Sequence, residues 1–303
     1  MAELTVLQQK LSVMLHNVEL QFEEPMSKHT SFRIGGPAEV IAFPKSIDEL
    51  SKTLKVSALL DCKPAILGAG TNVLAPDAGL RGLVICLKDC LDGMEQQGPD
   101  TIRVMAGVTM TRAALFAANL GLSGLEFAHG IPGTVGGGVY MNAGAYGGEI
   151  CQVCSRVAVM DMQGELKILS NADMGFAYRH SRLEDEGGIV VYAEFTLGKA
   201  APDSIRQRMQ ELMAKRKASQ PLDLPSAGSA FKRPAGGYAA ALIDQAGLKG
   251  FQVGNAAIST KHAGFAVNLG NATAENVKDL LRQVSDRVYD ETGIRLEPEV
   301  RIW

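Results

Sequence analysis

No stretch of the 303-residue chain is apolar for long enough to span a bilayer. The opening segment MAELTVLQQKLSVMLHNVELQFEE carries acidic residues and apolar positions at helical spacing, not a basic start followed by an apolar core. Membrane insertion and secretion are therefore not expected, and the cytoplasm is. An excess of positive charge is also missing. Thirty Lys and Arg stand against 33 Asp and Glu, giving a net charge of -3, so there is no basic field to neutralise a nucleic-acid backbone. Cysteine is scarce and odd in number, five in all, which argues against a disulfide framework in a reducing compartment. Cys151 and Cys154 do form a CxxC, and Cys86 and Cys90 a CxxxC. EICQVCSRVAVMD reads as a β-like run, however, where positions three apart face opposite sides. It is not the strand-to-helix setting of a redox pair. Buried small hydrophobes are expected there, and no metal site. No repeat of fixed period is visible. There is no GxxxxGK[ST] P-loop, and GAGTN at 68–72 has Val73 in place of the third glycine of a dinucleotide fingerprint, with no helical pattern directly after it.

What is present is a chain with 46% hydrophobic and 21% charged residues, enough for a large core and more than one domain. Glycine is concentrated in IPGTVGGGVYMNAGAYGGEI at 131–150, seven in twenty positions. Each costs roughly 0.5 to 1 kcal/mol relative to alanine in a regular element. Tight turns needing positive φ, or main chain closely approaching a ligand, would compensate, and the residues alone leave both open. Two glycine loops, 68–72 and 130–148, could hold one diphosphate from both sides through backbone amides, aided by the Thr71 hydroxyl and the amides of Asn72 and Asn142.

Strands and helices alternate irregularly, which favours a mixed α+β architecture over a doubly wound sheet. AEVIAFP reads as a strand, and SIDELSKTLKVSALL as a helix opened by a capping box of Ser46 with Glu49. GKAAPDS at 198–204 reads as a boundary at which Asp203 or Ser204 caps the next helix. TAENVKDLLRQVSDRVYDETG reads as a helix capped by Thr273 and stopped by Gly293, leaving IRLEPEVRIW as a terminal strand.

Taken in order, HTSFRIGGPA, GAGTNVL, EFAHGIPGTVGGGVYMNAGAYGGEI, FAYRHSRL, GSAFKRP, STKHAGF and LEPEVRIW resemble the UDP-N-acetylenolpyruvoylglucosamine reductase family over nearly the whole chain. The resemblance implies a vanillyl-alcohol-oxidase type FAD-binding fold. Its two subdomains would span 1–65 and 66–200, and a C-terminal α+β substrate-binding domain 201–303. It implies non-covalent FAD, NADPH as co-substrate, and reduction of UDP-N-acetylglucosamine enolpyruvate to UDP-N-acetylmuramate for peptidoglycan synthesis. Gly68, Ala69, Gly70, Thr71 and Asn72 would form one FAD wall. Gly130, Ile131, Pro132, Gly133, Thr134, Gly136, Gly137, Asn142, Gly144, Ala145 and Tyr146 would form the other.

By base rate Arg179 is a surface cation, Ser229 a turn serine and Glu299 part of a solvated strand face. The resemblance makes them catalytic. Hydride delivery to C3 of an enolpyruvyl group leaves negative charge at C2, which calls for a fixed cation and a nearby acid. Arg179 and Glu299 would stabilise that intermediate and Ser229 would donate the proton. Tyr178, Lys217, Lys232, Arg233 and Lys249 would meet the sugar nucleotide. His29 reads as a loop residue rather than a flavin attachment point. Arg233 stands where many members have asparagine. The short segment between Arg179 and Gly198 resembles the class that lacks an inserted tyrosine-bearing loop. An FAD-linked oxidase and a non-catalytic flavin or UDP-sugar sensor are the alternatives; the sensor has no use for Arg179, Ser229 and Glu299 together.

Overall fold

Short polar side chains set where the helices start. In the computed structural model, which describes residues 4–303, Thr5 and Gln8 close a reciprocal capping box on the helix Val6–Met14. Thr273 and Asn276 do the same for Ala274–Thr292, which ends at Gly293 with φ +71°, as expected. At Ile47–Leu59 only half of the expected box forms. Ser46 accepts the Glu49 N–H, but the Glu49 carboxylate takes the N–H of Lys45, one residue earlier, at 2.7 Å. Helix Pro202–Ser219 begins ahead of the expected caps, because proline lacks the N–H that a first helical position leaves unpaired. Ser204 instead donates its hydroxyl to the Ala201 carbonyl at 2.7 Å.

The chain divides into two units. The first comprises the chain up to Phe22, Val40–Ala69 and Gly82–Lys215; the second comprises Glu23–Glu39, Gly70–Arg81 and Arg216–Trp303. In the first, an antiparallel five-stranded sheet has the order Leu166–Ser170, Cys154–Met160, Ile189–Thr196, Thr101–Met105, Met94–Gln96. Helix Met110–Asn119 buries Ala113, Ala114, Ala117 and Ala118 against the core that holds Val135, Val139 and Phe195. The glycine block packs close to neighbouring chain. A Cβ at Gly136 would lie 2.9 Å from that of Ala106, and one at Gly138 would lie 2.8 Å from Met110 Sδ.

In the second unit, Ser226–Ser229, Phe265–Asn268, Ala256–Ile258 and Gln252–Val253 form an antiparallel sheet. Helix Ala274–Thr292 buries Val277, Leu280, Leu281, Val284 and Val288, the stripe that its apolar spacing dictates. Two early segments complete this unit. The Ser31 hydroxyl donates to the Ser226 carbonyl at 2.6 Å, and the Asn268 amide to the Phe32 carbonyl at 2.9 Å. The Asp77 carboxylate accepts the N–H groups of Ala274 and Glu275, at 2.7 and 3.2 Å. IRLEPEVRIW is a strand only at Arg301–Ile302, parallel to Val73–Leu74. Proline has no N–H to give a ladder, and upstream the segment makes only a bridge between Phe231 and Pro298. Among the described residues, no helix is long and apolar enough to cross a membrane.

Candidate active site

In the first unit the two expected glycine loops meet: a Cβ at Gly68 would lie 2.6 Å from Thr134 Oγ1. Thr134 caps the short helix Val135–Tyr140 by accepting the Gly137 N–H at 3.4 Å. The glycines of the block divide into two kinds. Gly136, Gly138, Gly144 and Gly148 have protein atoms where a side chain would go, whereas Gly137 meets nothing nearer than 3.7 Å and Gly147 faces open space. Close packing of the chain on itself therefore accounts for the first kind, and space is left open beside the second. Beside them the buried Nδ1 of His129 has no hydrogen-bond partner, and burial lowers the pKa of that ring.

Asn142 is buried with φ +45°. Its Nδ2 donates to Glu149 Oε2 at 3.0 Å and to the Ala177 carbonyl at 2.9 Å, while its Oδ1 accepts the Cys151 N–H at 2.9 Å. That amide ties the glycine block to the turn that presents Arg179. Ala177 and His180 exchange two backbone hydrogen bonds, at 3.1 and 3.2 Å, so Tyr178 and Arg179 form the tip of a two-residue turn. Arg179 takes φ +54° there. Its Nη2 donates to the Gly144 carbonyl at 2.9 Å, and its Cζ lies 5.1 Å from the Tyr178 ring. Arg179 and Tyr178 are thus brought to the glycine block, and Tyr146, also left-handed at φ +54°, is exposed beside it.

The CxxC differs from the expected β-run. Cys151 sits in a tight turn, Ile150–Gln152, stabilised by reciprocal bonds between Glu149 and Gln152, and only Cys154 enters the strand. All five cysteines are free thiols. Cys86, Cys90 and Cys154 are buried, and Cys62 and Cys151 half-buried. Burial pushes Cys154 up to about 12 and Cys90 to about 12, which leaves both poor nucleophiles.

In the second unit Ser229 ends its strand, exposed, opposite Phe265. The next residues pair with the C-terminal segment: the Glu299 N–H donates to the Ala230 carbonyl at 2.9 Å, and the Lys232 N–H to the Glu297 carbonyl at 2.9 Å. Asn72 locks the same place. Its Nδ2 donates to the Glu299 carbonyl at 3.2 Å, and its own carbonyl accepts the Arg301 N–H at 3.1 Å. Ser229, Glu299 and Asn72, far apart in sequence, therefore share one backbone network.

The expected substrate cations are differently placed. The Lys232 ammonium pairs with Glu297. Arg233 stacks on Tyr238 at 4.2 Å. Lys249 pairs with Asp244 at 2.6 Å on the loop after helix Ala239–Gln245. Lys217 is exposed near the end of helix Pro202–Ser219, and its carbonyl accepts Lys261 Nζ at 2.6 Å. Of these, Lys232 is bonded into the Ser229 and Glu299 network through the Glu297 carbonyl. Sequence reading passed over His129, whose unpaired nitrogen no local pattern signals.

Over its full length the chain is 44% identical to the UDP-N-acetylenolpyruvoylglucosamine reductase of Caldanaerobacter subterraneus subsp. tengcongensis, covering 100% of this chain and 99% of that one. The chain belongs to the UDP-N-acetylenolpyruvoylglucosamine reductase family. The reductase of Agathobacter rectalis is 45% identical, with 92% of each chain covered. The crystal structure of the family member from Thermus caldophilus superposes with a TM-score of 0.80 at 37% identity, covering 94% of this chain and 98% of that one. Residues 38–170 match the FAD binding domain, and residues 220–303 match the C-terminal domain of UDP-N-acetylenolpyruvoylglucosamine reductase. The α+β FAD-binding fold expected from the sequence thus holds. The residues present fit FAD: the space open beside Gly137 and Gly147 and the unpaired His129 nitrogen lie in the matched domain, leaving room and a hydrogen-bonding atom for a polar, diphosphate-bearing cofactor.

Proposed function

We propose that this reductase-family chain converts UDP-N-acetylglucosamine enolpyruvate to UDP-N-acetylmuramate in the cytoplasm, with NADPH as electron donor and FAD held non-covalently, as a step of peptidoglycan precursor synthesis. Residues 1–65 and 66–200 serve FAD in this reading, and 201–303 the sugar nucleotide. The observation that carries it is the pairing of Ala230 with Glu299, which puts a serine hydroxyl beside a carboxylate-bearing segment. Bound FAD supplies two-electron exchange between the nicotinamide and the enolpyruvyl carbon. The chain's own residues handle charge and proton. As C3 accepts hydride, negative charge builds at C2 and spreads into the carboxylate. The planar guanidinium of Arg179 offsets it with a fork already oriented by the Gly144 carbonyl and the Tyr178 ring. Ser229 gives its proton to C2, completing the lactyl ether, and is reprotonated from solvent. Glu299 orients that hydroxyl or the substrate carboxylate, and Lys232, neutralised by Glu297, lies next to them in the network.

Ser229→Ala tests the assignment, because the hydroxyl is needed only when C2 is protonated. Without oxygen, NADPH bleaches the flavin at the normal rate, while the enolpyruvyl substrate recolours it roughly 10² to 10⁴ times more slowly than in the wild type. Equal slowing of both phases makes Ser229 structural; no slowing moves the acid elsewhere. A wild type recoloured by oxygen but not by the enolpyruvyl substrate is an oxidase, and one that NADPH never bleaches is a sensor.

A further inference from the structure

The turn between strands Ala256–Ile258 and Phe265–Asn268 is built by two side chains. Ser259 Oγ accepts the N–H groups of Lys261 and His262, at 3.1 and 3.3 Å. His262 Nδ1 accepts the N–H of Gly264 at 3.1 Å. The ring occupies the space a side chain at 264 would need, since a Cβ there would lie 3.0 Å from His262 Cε1 and 3.1 Å from the Ala240 Cβ. Its edge meets the Phe265 ring at 5.0 Å and 74°. An accepting Nδ1 carries no proton, so the ring is neutral with its proton on Nε2. Burial favours that neutral form, opposed by a hydrogen bond to the residue's own backbone and aided more weakly by Lys249. Lys261 stands in the same turn, and Lys249 is paired with Asp244.

From His262 a run of hydrogen bonds leads to the residues assigned to proton transfer. Gly264, its N–H held by the ring, gives its carbonyl to the Ala230 N–H at 2.8 Å; the Ala230 carbonyl in turn accepts the Glu299 N–H at 2.9 Å. Phe265, against the ring edge, stands opposite Ser229 in the sheet. We propose that His262 is a positioning residue for the proton-transfer step: as a neutral acceptor it fixes the Gly264 peptide, and through it the backbone that carries Ser229 and Glu299. The inference rests on the reductase reading above and on Ser229 as its acid. Losing the acceptor frees the Gly264 N–H, and a displacement of about 1 Å at a reacting group lowers rate by up to 10².

The test compares His262→Asn, whose amide oxygen replaces Nδ1 as acceptor, with His262→Leu, which has none, in FAD-loaded enzyme without oxygen. In both, bleaching by NADPH stays at the wild-type rate. Recolouring by the enolpyruvyl substrate slows roughly ten- to hundredfold in the leucine variant and stays near wild type in the asparagine variant. A leucine variant as fast as wild type, or an asparagine variant as slow as leucine, overturns the inference alone. A wild type that bleaches and never recolours overturns the reductase reading and this inference with it. Should the leucine variant fail to fold, nitrogen NMR of His262 in the unaltered protein, well above the ordinary histidine pKa of about 6.5, decides: a bare Nδ1 is expected, and a proton on Nδ1 overturns the proposal.

Discussion

Asn142, Tyr146 and Arg179 all hold left-handed φ without being glycine, a conformation that costs of order 1 to 3 kcal/mol per residue and persists only where surroundings enforce it. For Asn142 the enforcement is an amide with both ends bonded; for Arg179 it is the exchanged bonds of Ala177 with His180 and the grip on Gly144. A second kind of stored free energy is protonic. His129 and His262 are both held neutral by burial, their pKa values lowered from 6.5. Unfolding restores the ordinary value, so the unfolded chain binds more protons below it. The contribution of each is intact above about 6.5 and is lost as pH falls through the depressed folded value. Thermal unfolding should show a midpoint that drops between pH 7.5 and pH 5, and His262→Asn should flatten part of that drop. A midpoint insensitive to pH in this window contradicts the assignment. The lowered carboxyl groups, Asp161 and Asp173 among them, act only further toward acid.

At the scale of elements, the start of helix Ala274–Thr292 depends on Asp77, which supplies a negative charge and two acceptors to N–H groups that the helix itself leaves unpaired. Asp77→Ala should lower stability by about 0.5 to 2 kcal/mol, the range for a lost cap. Urea unfolding measures this, and an unchanged midpoint would count against the cap. The Thr273 and Gly293 ends of the same helix are readable from sequence, because both rules are local. Asp77 is not, since its helix begins 197 residues later. The same divide runs through the site. HGIPGTVGGG announces close-packed main chain, yet only the structure separates glycines pressed on their own protein from those left open. FAYRHSRL has no glycine or asparagine at position 179 to betray a left-handed turn. Ser229 and Glu299 are ordinary by composition. Resemblance picked them out, and the backbone pairing of Ala230 with Glu299 brings their segments together. LEPEVRIW reads as a strand by alternation, and Pro298 interrupts the ladder.

At the scale of the whole molecule, the reductase reading holds the flavin without a covalent link. Purified protein should be yellow, and mild denaturation should release the flavin. Added FAD at about a hundred times its dissociation constant should stabilise the fold by about 2.7 kcal/mol, read as a raised thermal midpoint. Flavin retained after denaturation would contradict this. The second unit has a further consequence, in time rather than in space. Its segments Glu23–Glu39 and Gly70–Arg81 bond to each other early, but complete their pairing only with Arg216–Trp303: Ser31 waits for Ser226, Asp77 for Ala274, and Asn72 for Arg301. At a synthesis rate of about 5 to 20 residues per second, the early segments leave the ribosome roughly ten to forty-five seconds before the residues that cover them. During that interval Phe32, Ile34 and Leu74, buried in the finished core, are exposed on the nascent chain as sites for chaperone capture.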